Sequence, residues 1–136
     1  MGPPQSVAPH HREIAFVRGD AQACGAGIAC VRRALADWNL TAADVGDAVL
    51  VAAELLANAW KHADGPERLS VDHSGSVLRI AVTDRSPALP RLRMHRADAI
   101  GGHGVFIVDR LALRWGTRPV GGGKTVWADL GMSPRA

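Results

Sequence analysis

Apolar residues along the chain recur with two different periods, and the change of period marks the elements. Between Thr41 and His62 they return every three or four residues, at Val45, Ala48, Val49, Ala52, Leu55, Leu56, Ala59 and Trp60. That period predicts a helix. Thr41-Ala42-Ala43-Asp44 resembles a capping box with Asp where Glu is preferred, and Asp64-Gly65-Pro66 breaks the pattern. At 100° per residue, Glu54, Asn58, Lys61 and His62 fall within roughly 100° of arc. The rest of the circumference is apolar, so the helix is expected to be buried except along one polar stripe. Such a stripe lines a polar cleft, satisfies a few buried partners, or is simply solvated.

The flanking segments follow the same logic. Ile14 and Phe16 predict a short strand from Arg12 to Val17. Gly19-Asp20 is a turn, and Ile28, Val31 and Leu35 predict a helix from Asp20 to about Trp38, stopped at Asn39. Leu69 and Val71, then Leu78, Ile80 and Val82, alternate with polar residues around Ser74-Gly75-Ser76. They predict a hairpin whose second strand ends at Asp84. Residues 85–104 break all periodicity with Pro87, Pro90, four arginines and Gly101-Gly102-His103-Gly104. A loop this long in a small domain is functional or disordered. Val105 to Leu113 predicts a short helix. Leu113–Thr117 and Thr125–Leu130 predict two strands joined through Pro119 and Gly121-Gly122-Gly123. The order β-α-α-β-β-loop-α-β-β predicts an α+β, two-layer α/β sandwich with a mixed, mainly antiparallel sheet and helices on one face. Residues 1–11, with Pro3, Pro4 and Pro9, are expected to form a flexible arm, and residues 12–131 one domain.

Composition narrows the picture. The length of 136 residues suits a single domain. Only 4% of residues are aromatic and Tyr is absent, so the core must be built from Ala, Val, Leu and Ile. The net charge of +3 fits anionic partners, but no dense Lys/Arg run interleaved with aromatics appears, so direct nucleic-acid binding is not expected. Cys24 and Cys30 lie six apart on one expected helix, too far around it to be bridged. No Cys/His cluster has zinc spacing, and His10-His11 reads as a solvated pair. No apolar run approaches the length of a membrane span and no signal peptide is visible, so a cytoplasmic protein is expected.

Several motifs could carry chemistry. Gly123-Lys124-Thr125 invites a phosphate-loop reading, but that pattern needs glycine at 118, where Arg stands, and a helix after it, where Val126-Trp127-Ala128-Asp129-Leu130 is strand-like. Lys124 therefore reads as an exposed hairpin lysine. Gly101-Gly102-His103-Gly104 before a helix lets backbone N–H groups approach an anion. Asp84 at a strand end either accepts from an exocyclic amine such as that of adenine or serves a turn. Carboxylate and amide oxygens on the polar stripe suit Mg²⁺ bridged to phosphates. Nothing resembles a Ser-His-Asp or Cys-His arrangement.

Taken in order, these motifs resemble the ATP-binding domain shared by histidine kinases, Hsp90-type chaperones, type II topoisomerases and MutL-type proteins, and within it the bacterial anti-sigma-factor serine/threonine kinases. Glu54-Leu55-Leu56-Ala57-Asn58-Ala59-Trp60-Lys61-His62 resembles the N-box of that family. Asp84-Arg85-Ser86-Pro87 stands at its first glycine box and Gly102-His103-Gly104-Val105-Phe106-Ile107-Val108 at its second. Trp115-Gly116 and Gly123-Lys124-Thr125-Val126-Trp127-Ala128 resemble its closing hairpin. The resemblance implies a Bergerat-type fold, ATP and Mg²⁺ as cofactors, and a sigma factor or its antagonist as partner. Homodimerisation is left open. It implies Glu54 as general base and Asn58 as Mg²⁺ ligand. Lys61 or His62 would face the phosphates and Asp84 would hold the adenine amine. Ser86, Gly102, Gly104, Val105 and Thr125 would complete the nucleotide site. Ser86 stands where the first box usually has glycine, and Val105 where the second usually has Leu. A non-catalytic interaction module of the same fold, and a detached catalytic domain of a histidine-kinase system, are the two alternatives.

Overall fold

The computed structural model describes residues 10–88 and 103–133. Its elements run β1 (His10–Ala15), α1 (Ala23–Asp37), α2 (Ala42–Ala63), β2 (Pro66–Ser74), β3 (Val77–Asp84), α3 (His103–Leu111), β4 (Arg114–Val120) and β5 (Gly123–Gly131). This is the expected α+β sandwich, with every element of the expected type. The sheet has the order β1-β2-β3-β5-β4, and every neighbouring pair is antiparallel, so the expected mixed sheet is replaced by a wholly antiparallel one among the described residues.

Capping follows the sequence closely. The Thr41 hydroxyl accepts from Asp44 N at 3.2 Å, which starts α2. Asn39 takes a left-handed φ of 62° after α1, while Leu40 N donates to Leu35 O and Asn39 N to Ala36 O. Two otherwise orphaned carbonyls are thereby satisfied. Helix α2 ends likewise, on Asp64 at φ 56° with Gly65 N donating to Ala59 O. Asp20 does not cap α1; it closes a turn by accepting from Gln22 N at 2.8 Å, and the helix begins three residues later at Ala23. Strand β1 begins two residues before the expected Arg12. His10 pairs with His73 of β2 and stacks on Trp38 at 5.1 Å, which draws it into the sheet.

The core lies between the helices and one face of the sheet. Leu69 and Val71, Leu78, Ile80 and Val82, and Val126, Ala128 and Leu130 supply the sheet side. Val31, Ala34, Leu35, Ala48, Val51, Ala52, Leu55, Leu56 and Ala59 supply the helix side. Each fully buried Val, Leu or Ile contributes roughly 1.5–3 kcal/mol. Gly27 permits the close approach of α1 and α2, since a Cβ there would sit 2.9 Å from Leu56 Cδ1.

The opposite face carries a charged row that crosses all five strands: His11, Asp72, Arg79, Asp129, Arg114. Arg79 donates Nε to Asp129 Oδ1 at 2.6 Å and Nη2 to Oδ2 at 2.9 Å, and Arg114 Nε reaches Oδ2 at 2.8 Å. The two guanidinium groups hold the Asp129 carboxyl below the usual carboxylate range. Hydrogen bonds to Asp72 and Glu13 raise the His11 pKa. Arg79 lies over the Trp127 ring at 4.2 Å, and Gly116 beside that indole leaves it room, since a Cβ would stand 3.1 Å from its Cζ2.

Candidate functional site

The candidate residues lie on the C-terminal half of α2, at the end of β3 and at the start of β5, and the end of α2 shares a pocket with the turn after β3. Glu54 and Asn58 are half-buried and one turn apart on α2, with Lys61 exposed beyond them. The other faces of the same helix are taken up by Ala52, Leu55, Leu56 and Ala59, each at most 4% exposed. Between Ala52 and Ala59 the stripe lies among the half-buried positions, with Ala53 and Ala57, while the core claims the rest. The side chains of His62 and Val105 lie outside the described ones, as do the side-chain surroundings of Gly104. Gly102 lies outside the described residues, as does most of the long loop before it.

Asp84 is 2% exposed and points to the helix side of the sheet, continuing the row Leu78, Ile80, Val82. Its Oδ1 accepts from Ser86 N at 2.9 Å, which closes a tight turn after β3. The Ser86 hydroxyl accepts from Ala88 N at 3.2 Å. Opposite Asp84 in the sheet register is Lys124. Its Nζ lies 2.9 Å from Asp84 Oδ2 and 3.1 Å from Oδ1, and donates also to Ser86 O at 3.2 Å.

Lys124 corrects the sequence reading. It is 2% exposed and fully engaged, not an exposed hairpin lysine. Strand β5 begins at Gly123, two residues before the expected Thr125, so Lys124 occupies an inward position in line with Val126, Ala128 and Leu130. The alternation that identifies those three as core, continued back by two residues, would have revealed it. The same register turns Thr125 to the opposite face, where its hydroxyl meets that of Thr83 at 2.8 Å. Strand alternation alone thus puts Thr125 on the face opposite Asp84; of the other described candidates, Lys61 and Ser86 line one pocket, and Glu54, Asn58 and Asp84 are not among its lining residues.

Beside Ser86 lies a pocket of about 450 Å³, bounded by Arg18, Trp60, Lys61, Asp64, Arg85 and Ser86 among others. Three of these side chains are cationic and one is acidic. Arg85 Nη2 sits 3.6 Å from Glu67 Oε2, while its Nη1 is buried with no hydrogen-bond partner among the described residues. An unmet guanidinium donor at a basic pocket suits an anionic group. Among the described residues no group of three His, Cys, Asp or Glu side chains could cage a metal ion. A lone amide such as Asn58 fits Mg²⁺, which keeps water and phosphate oxygens as most of its ligands.

These features belong to a nucleotide-binding class of α+β domain. The chain is a member of the histidine kinase-like ATPase domain family, whose model matches residues 17–130. Among solved structures it resembles the RsbU and RsbW domains of Rv1364c from Mycobacterium tuberculosis, with a TM-score of 0.69 and 20% sequence identity. The likeness covers 96% of this chain and 34% of that one, and it is a likeness of fold. No curated protein matches the chain. Among the described residues, no helix is long and apolar enough to cross a membrane.

Proposed function

We propose that the protein is an ATP- and Mg²⁺-binding regulator of the anti-sigma-factor kinase type. It binds a sigma factor or that factor's antagonist, and transfers the γ-phosphate of ATP to a Ser or Thr of the antagonist. The observation that carries this reading is the polar stripe of α2. It places a carboxylate and an amide one turn apart, half-buried, on a helix whose Ala52, Leu55, Leu56 and Ala59 are core. The likeness of fold to a structure that contains an RsbW domain supports the choice of branch.

In this reading Asn58 would hold Mg²⁺, which would supply charge neutralisation at the phosphates. Lys61, with Arg85 nearby, attracts the phosphate chain. Glu54 takes the proton from the acceptor hydroxyl as its oxygen attacks the γ-phosphorus and ADP departs. Asp84 receives the adenine amine. The buried Asp84–Lys124 pair favours a second reading, a module of the same fold that binds nucleotide weakly and acts through protein contacts alone.

Glu54→Gln tests the catalytic role of Glu54. The amide keeps the size of the side chain and removes its basicity. If Glu54 is the base, ATP affinity changes little and transfer to the antagonist falls by roughly 10²–10⁴-fold. If Glu54 only balances a neighbouring cation, the variant melts earlier. A variant with native melting, native ATP binding and undiminished transfer removes Glu54 from both roles.

A further inference from the structure

The ion pair at the base-recognition end of the site has a consequence for affinity. A carboxylate offers about four lone-pair positions and an ammonium three hydrogens. Asp84 Oδ1 accepts from Ser86 N at 2.9 Å and from Lys124 Nζ at 3.1 Å, and Oδ2 accepts from Nζ at 2.9 Å. The same ammonium donates to Ser86 O at 3.2 Å. All three of its hydrogens are thereby spoken for, and three of the four carboxylate positions are filled. Both side chains are at most 2% exposed. One position on Oδ2 remains, but the ammonium lies across both oxygens and the carboxylate that would read a base is closed to solvent.

We infer that Lys124 sets the affinity of the nucleotide site: its ammonium occupies Asp84 as an internal ligand, and an adenine amine binds in exchange for it. This rests on the reading of Asp84 as the base-binding carboxylate. The exchange is uphill by its chemistry. The carboxylate keeps an ionised-acceptor bond, now from a neutral amine, but the buried ammonium loses its counter-charge. Gly123, immediately before Lys124, fits against the backbone of Asp84 and Arg85 so closely that a Cβ would overlap the Asp84 carbonyl oxygen. Displacement also removes the Lys124 hydrogen bond to Ser86 O, so residues 85–87, which border the basic pocket, lose one of their ties when the base enters. Nucleotide binding and the state of this turn are thus coupled.

A merely structural lysine predicts the opposite sign from an internal competitor when it is removed. Lys124→Thr suits a strand, retains a hydroxyl donor for Asp84, and removes both the charge and the bulk of the side chain. Lys124→Arg retains the charge. Calorimetric titration with ATP and Mg²⁺, with a thermal melt of each variant, reads the difference. Lys124→Thr is expected to bind ATP at least tenfold more tightly than the native chain, and Lys124→Arg to show no gain. Adding Asp84→Asn to Lys124→Thr is expected to abolish the gain. If Lys124→Thr does not fold, Lys124→Gln carries the same expectation with a smaller gain. A folded Lys124→Thr with unchanged or weaker affinity, beside a native chain that binds ATP, overturns the inference and leaves the site reading intact. No binding by the native chain or by any folded variant overturns both.

Discussion

Gly123 and Asp84 meet backbone to backbone: any side chain at 123 would overlap the Asp84 carbonyl oxygen and crowd the Arg85 Cα. Glycine is required here for space, at the first residue of β5. Lys124, next along the strand, is its first inward residue and stands opposite Asp84 in the register. Glycine at 123 and an ion pair at 84 and 124 are one arrangement.

Gly123→Ala is therefore expected to do more than a methyl group usually does. Backbone cannot step aside as a flexible side chain can, so overpacking of roughly 1–3 kcal/mol is expected. Urea denaturation measures it, and the midpoint should fall with little change in slope. An unchanged midpoint would show that the end of β5 moves freely and that the contact with Asp84 constrains nothing.

The charged row on the open face gives a pH signature. Asp129 has its pKa lowered from 3.8 by Arg79 and Arg114. A carboxylate with a depressed folded pKa adds stability that is complete above its unfolded pKa and is lost as pH falls through the folded value. The stability gap between the native chain and Asp129→Asn should therefore be level from pH 7 to about pH 5, and close progressively below about pH 4. Both arginines are well exposed, at 43% and 62%, so solvent screening limits the neutral-pH gap to roughly 1–3 kcal/mol. Melts across the acid range check it, and a gap that widens on acidification would contradict the assignment.

The parts of this molecule legible in its sequence are those written in local periodicity. The apolar positions of α2, the alternation of β2 and β3, and the stops at Asn39 and Asp64 are set by neighbours within a few residues. So is the stripe holding Glu54 and Asn58. The Asp84–Lys124 pair was not legible, because it joins residues 40 apart in sequence on strands whose adjacency depends on topology. Starting β5 at Thr125 instead of Gly123 hid Lys124, since the glycines before it read as turn. Thr125, a candidate by resemblance, lies on the Thr83 side of the sheet by the same alternation. The row from His11 to Arg114 was invisible for a related reason: each member is an ordinary surface charge until the sheet order brings the five together.

The central claim is that the polar stripe of α2 receives a metal-bound nucleotide, and one titration tests it most directly. ATP binding is measured by calorimetry with and without Mg²⁺, on the native chain and on Asn58→Ala, with melting curves alongside. The native chain is expected to bind ATP in a Mg²⁺-dependent manner. Asn58→Ala is expected to lose the Mg²⁺-dependent part of that affinity while melting within a few degrees of the native chain, because the residue is half-buried and outside the core. ATP binding that is indifferent to both Mg²⁺ and Asn58, or absent altogether, would contradict the account.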